Sequence, residues 1–129
     1  MSSGVILLVE DEGILLWDVE QSLVEAGFEV ASAFNAATAI ETFDLDPERI
    51  SAVLTDIRLG DGGTGWDIAR HARVTRPTLP VVYMSGHGAD DWPSEGVPNS
   101  IMISKPFVMA QVITALATLL NAASSLGIS

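Results

Sequence analysis

Four short stretches carry side chains that could do chemistry together: Glu10 with Asp11, Asp56, Ser85, and Lys105 followed by Pro106. Each lies just beyond a short apolar run. Gathered at one place, the three carboxylates would repel one another, and without compensation at least one would take up a proton. A hard divalent cation together with the Lys105 ammonium would balance their charge, and an all-oxygen ligand set suits magnesium or calcium rather than zinc. Magnesium keeps some of its water and so leaves positions open for phosphate oxygens. A carboxylate can act as a covalent nucleophile toward phosphorus, and Asp56, at the end of a buried strand, is the best placed of the three. Mg²⁺ and Lys105 would then stabilise charge on the transferring oxygens, while Ser85 could donate a hydrogen bond to one of them.

Such a constellation needs a scaffold that brings several strand ends together. Val5-Ile6-Leu7-Leu8-Val9 is a continuous apolar run that ends in acid, the pattern of a strand buried on both faces of a parallel sheet. From Glu12 to Ala26 the residues Leu15, Leu16, Val19, Leu23 and Ala26 recur at helical spacing, with acids in the first turn and Gly27 as the stop. Phe28 to Ser32 reads as a second strand, and Asn35 can cap a helix that carries Ala36, Ala39, Ile40 and Phe43 and ends at Asp46-Pro47. Ile50 to Thr55 makes a third strand. Gly65 opens a helix with Trp66, Ile68, Ala69 and Ala72, closed by Pro77, and Pro80 leads into the strand Val81-Val82-Tyr83-Met84. Ile101-Met102-Ile103 is a fifth, short strand, and the last helix runs from about Val108 to Ala123. Strand and helix alternate throughout, which predicts a doubly wound α/β fold with a parallel sheet, right-handed crossovers and helices on both faces. One crossover is irregular. Between Met84 and Ile101 stand Gly86, Gly88, Pro93, Gly96 and Pro98, so the fourth helix should be short, displaced or missing.

In open α/β sheets ligands bind outside the carboxyl ends of the strands, which is where the reactive side chains fall. The composition bounds the rest. A chain of 129 residues, 48% hydrophobic, reads as a single domain spanning 1–129 with no room for an output domain. A formal net charge of -11 disfavours nucleic acid and anionic membrane surfaces and favours basic partners. With no cysteine, no signal-peptide pattern and no apolar run long enough to span a bilayer, a cytoplasmic protein is expected.

Leu8-Val9-Glu10-Asp11-Glu12, Thr55-Asp56, Met84-Ser85-Gly86 and Lys105-Pro106-Phe107 resemble the motifs of two-component response regulator receiver domains, and the resemblance covers essentially the whole chain. It implies a five-stranded sheet of order 2-1-3-4-5, the flavodoxin-like or CheY-like arrangement. Position by position it implies Mg²⁺ bound by Glu10, Asp11, Asp56 and the backbone carbonyl of Arg58. It further implies phosphorylation of Asp56 by a histidine kinase, a histidine phosphotransferase or a small acyl phosphate, phosphate sensing by Ser85 and Lys105, and a cis bond before Pro106. A downstream protein target would read the switch, with no turnover of a small-molecule substrate beyond loading and hydrolysis of the acyl phosphate. One departure stands out: receivers usually carry an aromatic residue three positions before the lysine, and here that position holds Met102.

Taken singly, an Asp after a strand is usually a turn or cap, and Glu-Asp at a helix start complements the dipole. The joint placement at strand ends is what a loop assignment does not predict. An aspartate-dependent phosphatase of the haloacid dehalogenase type would need a second Asp where Arg58 stands, and an FMN-binding flavodoxin-like protein would not place Glu10-Asp11-Glu12 against a phosphate. A pseudo-receiver used only for docking would keep the fold without the chemistry. Gly60-Asp61-Gly62-Gly63-Thr64-Gly65 matches a dinucleotide fingerprint formally but follows the third strand beside Asp56, so it reads as a flexible loop. His71 and His87 have no partner acids at triad or metal spacing, and Trp17, Trp66 and Trp92 show no period for base stacking. In the last helix Gln111, Thr114, Thr118 and Asn121 form a narrow polar stripe. Val112, Ile113, Leu116, Leu119 and Leu120 then cover more than a sheet should need, which raises a homodimer or partner interface, with exposed alanines as the alternative.

Overall fold

The computed structural model describes residues 4–60, 62–86 and 89–125. Five strands, β1 (Val5–Val9), β2 (Glu29–Ala33), β3 (Ile50–Asp56), β4 (Val81–Ser85) and β5 (Ser100–Ser104), form a parallel sheet in the order β2-β1-β3-β4-β5. Helices α1 (Gly13–Glu25), α2 (Ala36–Leu45), α3 (Gly65–Thr75), α4 (Trp92–Glu95) and α5 (Met109–Ser125) connect and follow them. Alternation along each buried strand divides the interior into two clusters. Ile6, Leu8, Leu54, Val82 and Met84 pack under α1 and α5, whereas Val5, Leu7, Val9, Val53, Val81 and Tyr83 pack under α2 and α3. Each such aliphatic side chain contributes roughly 1.5–3 kcal/mol on burial, so slipping a strand by one residue would exchange two complete faces.

Local signals set the ends of the helices. Glu12 is the extended N-cap of α1, so the acids expected in its first turn lie just before it, free to face the strand ends. Gly27 ends that helix at φ +100, a left-handed conformation that suits glycine. Asn35 caps α2 as expected, accepting the Thr38 N–H at 2.8 Å. Thr64 caps α3 through a reciprocal box with Asp67: its hydroxyl accepts the Asp67 N–H at 3.3 Å, and Asp67 Oδ2 accepts the Thr64 N–H at 2.9 Å.

The weak crossover is resolved as a single 3-10 turn (Ala89–Asp91) followed by the four-residue α4. Arginines of α3 and of the turn after it tie neighbouring segments together, two of them at this crossover and Arg76 at the start of β3. Arg70 bonds the Glu95 carboxylate and carbonyl, Arg73 donates to the carbonyls of Leu79 and Pro98, and Arg76 donates to those of Pro47 and Ile50. The apolar residues of α5 are divided between the sheet and α1. Val112 and Leu116 are buried, and Ile113, Leu119 and Leu120 pack against the same cluster, because α5 shares its apolar side between the sheet and α1. Ala110 and Ala117 are simply exposed beside the polar stripe. His71, read as lacking an acidic partner, has one: Asp44 of α2 lies 2.8 Å from its Nε2, a pairing across two helices that sequence spacing does not reveal. His87 lies outside the described residues.

Candidate functional site

Register brings the reactive side chains into a row. Val9 pairs with Thr55, so the next residues, Glu10 and Asp56, sit side by side; Asp56 pairs with Met84, and Ser85 pairs with Ser104, which precedes Lys105. Backbone bonds continue the ladder past the strands: Glu10 N–H donates to Ala33 C=O at 3.1 Å, Ile57 N–H to Met84 C=O at 3.2 Å, and Lys105 N–H to Ser85 C=O at 2.8 Å. Asp56 and Ser85 thus close their own strands, while Glu10 and Lys105 are held by ladder bonds one residue beyond theirs.

Lys105 joins the two buried carboxylates. Its ammonium lies 3.1 Å from Asp56 Oδ2 and 3.2 Å from Glu10 Oε1. Glu10 is fully buried, with Oε2 accepting the Glu12 N–H at 3.1 Å, and Asp56 is 7% exposed, with Oδ1 accepting the Ile57 N–H at 2.8 Å. Burial first, then repulsion from Asp56, pushes the Glu10 carboxyl up to about 7; the Glu12 N–H and Lys105 pull the other way and do not prevail. Burial also works against the Lys105 charge, but hydrogen bonds and attraction from Asp56 and then Glu10 outweigh it, holding the ammonium above the ordinary lysine value.

One oxygen from each of Glu10, Asp11 and Asp56 lies within 4.8 Å of the other two. Octahedral magnesium, with oxygens at about 2.0–2.1 Å, spaces opposite ligands by about 4.2 Å, so the cluster has the right size and the exposed Asp11 side chain supplies the adjustment. The donor set is all oxygen, and a buried carboxyl reluctant to ionise marks a shortage of positive charge that a divalent cation would meet. Asp56, Arg58, Ser85, Gly86 and Lys105 line a cleft of about 220 Å³ beside this cluster, with Ser85 buried and the Arg58 side chain exposed at the rim. The peptide bond between Lys105 and Pro106 is cis. Met102 is half-buried in β5, where its register partner is Tyr83.

Several supporting residues escaped the sequence reading. Thr55 donates its hydroxyl to the Asp56 carbonyl at 2.8 Å from inside β3. Gly65 is needed for space rather than for turning: a Cβ there would strike the Asp56 carbonyl, and its N–H bonds Ile57 C=O at 2.9 Å. Its signal was present, since a glycine opening a helix behind an already complete cap has a packing reason. The glycine-rich loop is also less free than expected, because Arg58 and Thr64 form an antiparallel bridge across it; Asp61 at its centre lies outside the described residues.

A family profile described as the response regulator receiver domain matches residues 6–117. The response regulator receiver protein CpdR of Brucella abortus is 30% identical over 120 residues, covering 92% of this chain and 98% of that protein. Two other relatives are longer. The chain covers 19% of the alginate biosynthesis transcriptional regulatory protein AlgB of Pseudomonas putida, at 36% identity over 90 residues, and 40% of the phyllosphere-induced regulator PhyR of Methylorubrum extorquens, at 27% identity over 107. Among solved structures, a response regulator receiver protein from Sinorhizobium medicae superposes with a TM-score of 0.89 at 49% identity, covering 92% of this chain and 95% of that one. The receiver domain of a sensor histidine kinase from Pseudomonas aeruginosa, with a magnesium ion coordinated in its active-site cleft, shares the fold at a TM-score of 0.79 and 21% identity, covering 93% of this chain and 99% of that one.

Proposed function

The chain belongs to the response regulator receiver domain family, and from that premise we propose that Asp56 accepts a phosphoryl group from a phosphohistidine on a partner kinase or phosphotransferase. A carboxylate oxygen of Asp56 forms the new bond to phosphorus, the phosphorus–nitrogen bond to the donor imidazole breaks, and the electron pair of that bond leaves with the imidazole. Lys105 lies 3.1 Å from Asp56 Oδ2 and carries a firmly held positive charge, which suits it to bind an oxygen of the transferring group. Ser85 lines the same cleft and is suited to hold a second oxygen. Glu10, Asp11 and Asp56, with the Arg58 carbonyl, are the residues that would hold Mg²⁺. When bound, the ion would neutralise charge shared between the carboxylates and the phosphoryl oxygens. Fixing the groups on adjacent strand ends means that little reorganisation is needed on loading.

The observation that carries this reading is the bridging of two buried carboxylates by Lys105 at a cleft that also holds Ser85. A phosphatase of the dehalogenase type lacks its second acid, since Arg58 occupies that place with its side chain exposed. The Brucella relative, itself a receiver protein matched over nearly its whole length, supports signalling by this domain through protein contacts. Among the described residues no helix is long and apolar enough to cross a membrane.

Incubation with acetyl phosphate and Mg²⁺, followed by intact mass measurement, tests the proposal. The chain should gain one phosphoryl group, and Asp56→Ala should gain none. An unmodified wild type under these conditions would identify a pseudo-receiver that only docks.

A further inference from the structure

From Asp56 a continuous run of contacts crosses the interior to α4. Gly65 packs against the Asp56 carbonyl so closely that a methyl group would not fit, so a shift of that peptide is passed directly to the first turn of α3. The next residue, Trp66, is buried and meets Tyr83 edge to face, with ring centroids 4.6 Å apart and planes at 61°. Tyr83 is fully buried in β4, and its hydroxyl accepts the Val97 N–H at 3.1 Å. Val97 C=O accepts the Ser100 hydroxyl at 2.6 Å, and Ser100 Oγ accepts the Trp92 indole N–H at 2.9 Å. Trp92, Pro93, Gly96, Val97 and Pro98 then wall an open groove of about 310 Å³.

The hydroxyl of Tyr83 is the informative group. A phenylalanine would fill almost the same core volume, and burying a hydroxyl is unfavourable unless it is bonded, so its presence needs a reason. Here it holds the backbone of a segment with little structure of its own: α4 is four residues long and is followed by Gly96 and Pro98. On the other side of Tyr83 stands Met102, its register partner in β5, whose unbranched side chain can re-pack around a moving ring.

We propose that Tyr83 couples the Asp56 site to the groove at Trp92, carrying a displacement of the Gly65-Trp66 peptide through its ring and hydroxyl to Val97, Ser100 and Trp92. The coupling rests on the phosphorylation of Asp56 proposed above. It makes the Trp92 groove the surface whose shape reports the state of the site. Tyr83 is a positioning residue in this scheme and takes no part in phosphoryl transfer.

The test uses the full chain labelled with 5-fluorotryptophan, its three resonances assigned by single Trp→Phe variants, before and after acetyl phosphate with Mg²⁺, and with loading read by intact mass. In the wild type the Trp66 and Trp92 resonances should both move on loading. In Tyr83→Phe, loaded to the same extent, Trp66 should move and the Trp92 response should be lost. Where Tyr83→Phe fails to fold, as judged by circular dichroism, Ser100→Ala interrupts the same run nearer its end and should also lose the Trp92 response. A Trp92 resonance that moves in the variant as it does in the wild type overturns the coupling, as does one that stays still in a fully loaded wild type. Absence of the phosphoryl mass instead overturns the assignment of Asp56, and the coupling with it, so the two failures are told apart by mass.

Discussion

Lys105 and Asp56, 49 residues apart in sequence, meet at 3.1 Å across β4, whose pairings with β3 and β5 end one residue apart, at Met84 and Ser85. Lys105 is the only lysine in the chain, and its ammonium is the cation bridging the two buried carboxylates. Replacing it by methionine keeps most of the stem and removes the charge. Hydrogen bonds to charged groups contribute about 1.5–3 kcal/mol, and the partial exposure of Lys105 puts Lys105→Met toward the lower end of that range in Mg²⁺-free urea titrations. Loading from acetyl phosphate should slow on the order of 10²-fold, as expected for loss of a charge aimed at transferring oxygens. Unchanged loading would remove Lys105 from the chemistry.

Glu10 makes stability depend on pH in an unusual direction. Its folded pKa, about 7, lies above the ordinary value of 4.5, so between these limits the folded state binds more protons than the unfolded one. Without Mg²⁺, this contribution is fully present below pH 4.5 and is lost as pH rises through 7. The loss should amount to a few kcal/mol at most, at about 1.4 kcal/mol per pKa unit. Urea midpoints measured from pH 5 to pH 8 should fall, and Glu10→Gln should flatten the trend. Mg²⁺ held at Glu10 would compete with that proton, so its apparent affinity should rise over the same interval, as titration calorimetry would show.

Gly65→Ala introduces a methyl group where the Asp56 carbonyl already stands. Overpacking of this kind costs about 1–3 kcal/mol, and here the backbone that must yield is the one carrying Asp56. Both the unfolding midpoint and the loading rate should drop. Gly13→Ala, at a glycine whose Cβ would meet nothing within 4 Å, should leave both nearly unchanged.

Arg73 offers a contrast remote from the cleft. Its guanidinium bonds the Leu79 and Pro98 carbonyls, each at 2.7 Å, and so ties α3 to the entries of β4 and β5. Arg73→Ala should cost about 1–3 kcal/mol through those stranded carbonyls. Amide exchange across 96–100 should accelerate while acetyl phosphate loading stays within twofold of wild type, about 0.4 kcal/mol.

The sequence alone determined the alternation of strands and helices, because continuous apolar runs and helical spacing are local patterns that burial enforces. Asn35, Gly27 and Pro47 mark element ends by their own backbone chemistry, and the structure keeps all three in those roles. The residues that converge at the carboxyl ends of the strands were legible too, as polar side chains placed directly after apolar runs. The irregular fourth crossover was readable from its glycines and prolines, although the four-residue length of α4 was not.

What only the tertiary structure decided are relations between distant positions. The pairing of His71 with Asp44, the fit of Gly65 against Asp56 and the bond from Val97 to the Tyr83 hydroxyl each join elements whose separation in sequence carries no signal. That α1 shares the surplus apolar residues of α5 with the sheet is likewise a tertiary fact that helical spacing did not indicate. The rise of the Glu10 pKa belongs to the same class, since it comes from desolvation and from a neighbouring charge on another strand. Periodicity and residue type report what one segment prefers, whereas contact distance and burial arise only when separate segments are packed together.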